Sequence, residues 1–232
     1  VWDVTLKANR AILELNHHGK GPVHINLSTR YSTNFMVKEL PKAHAIFRFD
    51  AFSKELPAIS QKKVAIYCGT HAKWTDEEIE AIDDFCEVYN AVVFCDPASN
   101  YTGKYRVNFG LVATQRFQSA NRCPDLLIHI GNMSDMSYDA GQPKEVWRVS
   151  EDGAIADRYR TLKYVFEVPE QFFFEKYSVG REHQATTYYE SCIKELEETR
   201  KNIPELPFSH IWVASQIAPK LPKNSVLHLG IL

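Results

Sequence analysis

KKVAIYCGTHAKWTDEEIEAIDDFCEVYNAVVFCD, residues 62–96, decides the fold. It opens with a continuous apolar run, VAIYC, that stops at Gly69. Thr75 then stands where a helix N-cap would. Asp76, Glu77 and Glu78 follow in the first turn, where the positive end of a helix dipole favours negative charge. Ile79, Ile82, Phe85, Cys86 and Tyr89 recur at helical spacing, and AVVFCD closes the unit as a second continuous apolar run. A strand that is apolar on both sides must be covered on both sides. Two such strands joined by an amphipathic helix therefore predict a parallel sheet with helices on both faces.

The same rhythm continues outward. PDLLIHIG (124–131), EVWRVS (145–150) and YVFEV (164–168) read as further strands, residues 111–120 as a helix, and PEQFFFEKY (169–177) as a helix that starts at a proline. The fold class expected for residues 61–180 is α/β, a Rossmann-like parallel sheet. Upstream, Val4, Ala8, Ala11, Ile12 and Leu15 space out a helix that stops at His17-His18-Gly19, and VHINL (23–27) alternates like a strand. Residues 36–60 are proline-marked and mixed, with one extended piece at AIFRF, and read as a linker. Downstream, a charged connecting helix is expected within 181–207, over residues 184–202. A helix from HIWVASQ and a strand from NSVLHLGIL follow. The chain stops inside that last apolar run without turn residues, and VWDVTLKANR is no initiation site, so it reads as a fragment cut at both ends.

Composition excludes several function classes. Twenty-seven Lys and Arg against 29 Asp and Glu leave a net charge of −2, with no basic footprint for nucleic acid and no polybasic face for a membrane. No apolar run approaches the roughly 18 residues of a membrane span. The five cysteines, Cys68, Cys86, Cys95, Cys123 and Cys192, are widely spaced without a C-x-x-C pair. They read as small buried hydrophobes of a protein in a reducing cytoplasm.

Strands that end in glycine mark the candidate site. In an open parallel sheet, ligands bind beyond the carboxyl ends of the strands, where glycine lets backbone approach a phosphate or a ring. The candidates are Gly69, Thr70 and His71 after the first strand, Asp96 after the second, and Gly131 and Asn132 after the third, with Gly230 in a similar setting. CGTHAKW carries one glycine where a dinucleotide turn needs three, which favours a crevice that only packs over a nucleotide site. Asp96 is the residue type that would hold a ribose hydroxyl. Adjacent His17 and His18 would diverge on a helix, and no H-E-x-x-H or Cys/His cluster accompanies them, so they read as solvated or strand-flanking imidazoles and no metal ligand is assigned. His129 and His228 read as buried imidazoles bonded to neighbouring carbonyls. The acids of DEEIEAIDD fall on a polar helix face. No nucleophile stands with a base, and no catalytic or cofactor-binding residue is assigned in this chain.

In order and spacing the chain resembles the thiamine-diphosphate-dependent 2-oxo acid decarboxylases and carboligases. G-P-V-H-I-N at Gly21–Asn26 resembles the end of that family's pyrimidine-binding domain (here residues 1–35). PDLLIHIGNMSD and KEVWRVSEDGAIADRYRTLKYVFEVPEQFF resemble late stretches of its middle domain (61–180). PFSHIWVASQIAPKLPKNSVLHLGIL resembles the opening of its pyrophosphate-binding domain (208–232). WRVSEDGAIADR and LPKNSVLHLG bring it closest to the menaquinone-biosynthesis branch. The resemblance implies a parent enzyme that decarboxylates a 2-oxo acid and transfers the acyl unit to an acceptor. It also implies thiamine diphosphate and Mg2+ bound outside this stretch, since the family's activating glutamate lies earlier and its G-D-G…N motif later. Partners would be the remaining domains and a second copy of the chain. An acetolactate-synthase-like or simple decarboxylase parent stays open, as does a regulatory nucleotide- or aromatic-acid-binding role for the middle domain. The family's proline after H-I-N-x is missing from HINLSTRYSTNF, so no loop contact carries over to Arg30 or Tyr31.

Overall fold

The structure is a computed structural model that describes residues 1–31, 33, 35–36, 38–39, 42–115, 118–132, 140–223 and 225–227. Its strands are β1 (Phe47–Asp50), β2 (Val64–Cys68), β3 (Val92–Cys95), β4 (Arg106–Val107), β5 (Leu126–Ile130), β6 (Glu145–Val149) and β7 (Leu162–Glu167). They form one seven-stranded sheet in the order β1-β7-β6-β5-β2-β3-β4, every pair parallel. β2, β3 and β5 are buried at every position, as continuous apolar runs require.

Helices cover both faces. Val64, Ile66, Cys68, Ile128, Trp147 and Phe166 point to one side, against α2 (Asp76–Tyr89) and α4 (Glu170–Ser178). Ala65, Tyr67, Phe94, Leu127 and Val165 point to the other. There they meet Leu6 of α1 (Trp2–Glu14), Val112 of α3 (Gly110–Gln115), and Tyr188, Cys192 and Leu196 of α5 (Thr187–Lys201). The start of α2 is fixed as its sequence foretells. Thr75 Oγ1 accepts from the Glu78 N–H at 3.2 Å while the Thr75 N–H donates to Glu78 Oε2 at 2.8 Å. Asn90 ends the helix in the left-handed region (φ 49°), a conformation asparagine tolerates.

The structure differs from the sequence reading at both ends. Residues 23–27 form no strand: Ile25 and Leu27 are exposed, and among the described residues no strand pairs with them. Residues 225–227 likewise form no strand, and the rest of that expected strand, with His228 and Gly230, lies outside the described residues. The extended piece AIFRF does more than link: β1, inside the stretch read as a linker, pairs with β7 and forms the sheet edge. The helix read over 111–120 is shorter, with a separate 3-10 turn at Ala120–Arg122. α6 (His210–Ile217) forms as expected but buries no residue. Among the described residues no helix is long and apolar enough to cross a membrane.

Candidate functional site

β2 and β5 are neighbours, yet the chain runs from β2 to β3 on one side and returns to β5 on the other. The ends of these two strands are therefore the switch point where an open α/β sheet receives a ligand. Here the place is taken by the protein's own backbone. The Gly69 N–H donates to Ile130 O at 2.9 Å, and Thr70 and Asn132 exchange N–H···O bonds of 2.6 and 2.9 Å as an antiparallel bridge. A Cβ on residue 69 would lie 2.2 Å from Asn132 O, and Gly131 adopts φ +68° with Thr70 O 2.9 Å from where its Cβ would be. Both glycines are thus required by backbone approaching backbone.

Side chains close the crevice further. Arg148 on β6 donates from Nη1 to Gly131 O at 3.2 Å and to His129 Nδ1 at 3.1 Å, and from Nε to Ala154 O at 3.1 Å. His129 is therefore bonded to a guanidinium, not to the neighbouring carbonyl expected from sequence. Burial and that positive charge push its pKa down to about 3, so the ring is neutral and accepts through Nδ1. His71 stacks on Trp74 with ring centroids 3.7 Å apart, and its Nδ1 lies 3.0 Å from Ala72 O. Its Nε2 faces Glu170 Oε1 at 3.8 Å, a carboxyl whose pKa burial raises. Asp96 is buried, and its Oδ1 accepts from the Ala98 N–H at 2.8 Å, so this carboxylate shapes its own turn. The six residues named from sequence do gather at one end of the sheet, but Thr70 and Asn132 bond to each other and the rest are bonded to neighbouring protein groups. A diphosphate needs a cradle of free N–H groups. Those of Gly69, Thr70 and Asn132 are taken by Ile130, Asn132 and Thr70, so these strand ends do not fit thiamine diphosphate.

An open cleft lies one step aside. It has a volume of about 810 Å³, runs beside β3 and β4, and is lined by Asp96, Asn100, Arg106, Asn108, Thr114 and Arg200 among others. The sequence reading missed Arg106 and Arg200. Arg106 sits on a two-residue strand too short to show periodicity, and Arg200 falls in the last turn of a charged helix, where a cation is expected for the dipole alone.

A second cluster forms at His17 and His18, whose rings converge where divergence was expected. The chain leaves α1 before them, and positive φ at His18 (40°) and Gly19 (108°) folds both rings toward β7, their centroids 3.8 Å apart. His17 Nε2 lies 2.9 Å from Glu167 Oε2, and His18 Nε2 lies 3.1 Å from Glu167 Oε1. Adjacent imidazoles diverge on a helix, but not in the turn after one.

No protein-family model matches the chain. It is similar over 99% of its length to curated proteins named 2-succinyl-5-enolpyruvyl-6-hydroxy-3-cyclohexene-1-carboxylate synthase. Identity is 26% to that of Bacteroides thetaiotaomicron, 26% to that of Phocaeicola vulgatus and 27% to that of Bacteroides fragilis. The chain spans 44% of the length of each of these relatives.

Proposed function

We propose that this chain is a stretch of a thiamine-diphosphate- and Mg2+-dependent enzyme of menaquinone biosynthesis. That enzyme decarboxylates a 2-oxo acid and transfers the acyl unit to an acceptor in the cytoplasm. The observation that carries this reading is similarity along 99% of the chain to synthases bearing that one name. The cofactor, when bound, supplies the electron sink for decarboxylation. In this reading the residues of this chain hold no cofactor. They form a middle domain whose strand ends are sealed by Gly69, Thr70, Gly131 and Asn132, and which spaces the two domains that do the chemistry. Residues 1–35 and 208–232 belong to those flanking domains. The exposed Ile25, Leu27, Phe208 and Ile211 are surfaces for them and for a second copy of the chain. A product assay on the intact parent tests the reading: 2-oxoglutarate plus isochorismate should give the carboligation product, whereas turnover of pyruvate alone would favour an acetolactate-synthase-like or simple decarboxylase parent. Calorimetric titration of this chain with thiamine diphosphate and Mg2+ should give no saturable heat.

A regulatory reading is favoured by one observation, the 810 Å³ cleft in which Arg106 and Arg200 accompany Asp96. In that reading the middle domain takes a nucleotide or an aromatic acid beside β3 and β4, not at the sealed switch point. Thermal-shift screening against adenine nucleotides, flavins and naphthoate-like acids separates the two. A ligand at a hundred times its Kd adds about 2.7 kcal/mol to the folded state.

A further inference from the structure

His17, His18 and Glu167 bring two imidazole nitrogens and a carboxylate within 4.8 Å of one another, though Glu167 lies 150 residues along the chain from His17. The arrangement around them is built. The other ring nitrogen of His17, Nδ1, lies 2.9 Å from Glu14 Oε2, and Glu14 Oε1 in turn accepts from Arg48 Nη2 at 2.9 Å. Glu14 thus takes up Nδ1, which leaves Nε2 as the ring nitrogen that faces Glu167 Oε2, at 2.9 Å.

The charge balance agrees. Arg48, Asp50 and Glu167 line the adjoining cavity of about 430 Å³. With Glu14 these side chains gather three carboxylates around one guanidinium, a setting that favours a cation. The donor set is equally specific. Two imidazoles and one carboxylate, with further positions open, suit borderline divalent ions rather than the all-oxygen sites of Mg2+ or Ca2+. The carboxylate behind His17 is the outer partner that metal-bound histidines commonly keep, because it fixes the tautomer and aims the ring. His18 has a side chain 70% exposed, which leaves an entry path from solvent.

We propose that His17, His18 and Glu167 bind a divalent transition-metal ion of the zinc class, with Glu14 as the positioning residue for His17. Bound there, the ion clips the turn after α1 to the end of β7 and so fastens the N-terminal helix to the sheet. The site is independent of the proposed activity and lies at the end of β7, two strands from β5 in the sheet order.

Titration of this chain with Zn2+ by calorimetry, and with Co2+ by visible absorption, tests the proposal. The expected result is one saturable equivalent, a Co2+ spectrum of nitrogen and oxygen ligation, and a rise in melting temperature with Zn2+. His18→Ala, at an exposed position, should leave the metal-free melting temperature unchanged and abolish the saturable binding. Glu14→Gln should weaken it about 10- to 100-fold. Absence of saturable binding to the unaltered chain overturns the proposal, and so does binding that His18→Ala leaves at full strength, since the ion would then sit on other histidines.

Discussion

Two helices fasten to the same end of the sheet, on opposite faces and by opposite chemistry. α4 presents Phe173 to Phe166, Tyr177 to Trp147 and Phe166, and Phe174 to Phe85 of α2. The rings of Phe166 and Phe173 meet edge to face at 4.8 Å, and those of Phe173 and Phe174 at 5.2 Å. α1 buries Leu6 fully, packs Trp2 and Leu13 partly buried beside it, and is tied for the rest by polar groups. Trp2 Nε1 donates to Asp157 Oδ2 at 2.8 Å, Arg10 Nη2 donates to Ile155 O at 2.6 Å, and Asn9 Oδ1 accepts from the Ile46 N–H at 2.8 Å. Burial of apolar area is indifferent to salt and pH, whereas exposed and half-buried polar ties exchange with water for a small net gain. The contrast teaches which parts of this molecule are core and which are attachments. α4 follows β7 directly and belongs to the sheet's own cover; α1 precedes the whole sheet and is held as a partner would be.

That contrast can be broken by mutation. Phe173→Ala should cost about 3–5 kcal/mol, the range for a large side chain removed from a packed core, read from the denaturant midpoint. Leu6→Ala should fall at or below about 2 kcal/mol, because its helix can loosen without opening the sheet. Equal losses at the two positions would erase the distinction between core and attachment.

Acid sharpens the contrast next. His129 lies between β2 and β6 on the α1 side, neutral and bonded to Arg148. Its folded pKa, about 3, lies below the unfolded value near 6.5, so the unfolded chain takes up the proton first as pH falls. The stability it contributes is complete above pH 6.5 and is lost at about 1.4 kcal/mol per pH unit below that, down to about pH 3. Global unfolding followed from pH 7.5 to 5 should show this slope, and His129→Gln should flatten it. An unchanged slope in the variant would assign the acid response to other groups.

Smaller effects belong to the ties of α1. Asn9→Ala leaves the Ile46 N–H without its side-chain acceptor and should cost about 1 kcal/mol, with hydrogen exchange rising in α1 and β1 before it rises in α4. Raising ionic strength should shift α1 protection by less than about 1 kcal/mol, through the half-exposed Arg48–Glu14 pair, and should leave α4 untouched. Loss of protection in both helices together would mean that α1 is part of the cooperative core.

The central fold was legible because its signals are local. VAIYC and VVFC are apolar at every position and LLIHI at all but His129, α2 carries its own capping box, and α4 is preceded by Pro169, so strand, helix and parallel pairing follow from short windows of sequence. The site was legible only as a location. Gly69, Thr70, His71, Asp96, Gly131 and Asn132 do meet at the strand ends, but glycine at a strand end means the same thing in sequence whether a phosphate or another backbone comes close. VHINL reads as a strand by alternation and is not one here, because alternation describes a side-chain pattern and a strand exists only when a neighbour supplies the hydrogen bonds.

By itself, then, the sequence determined the parallel α/β sheet, the helices α2 and α4, and a likeness in order and motif to one enzyme family, the first two of which rest on residues near one another in the chain. Only the tertiary structure decided that β1 joins the sheet edge, that α1 and α5 complete the second face, that Thr70 and Asn132 seal the switch point, and that His17 and His18 converge on Glu167. Each of these depends on groups dozens to well over a hundred residues apart. A chain's local pattern fixes what each segment can bury, but not which distant surface arrives to bury it.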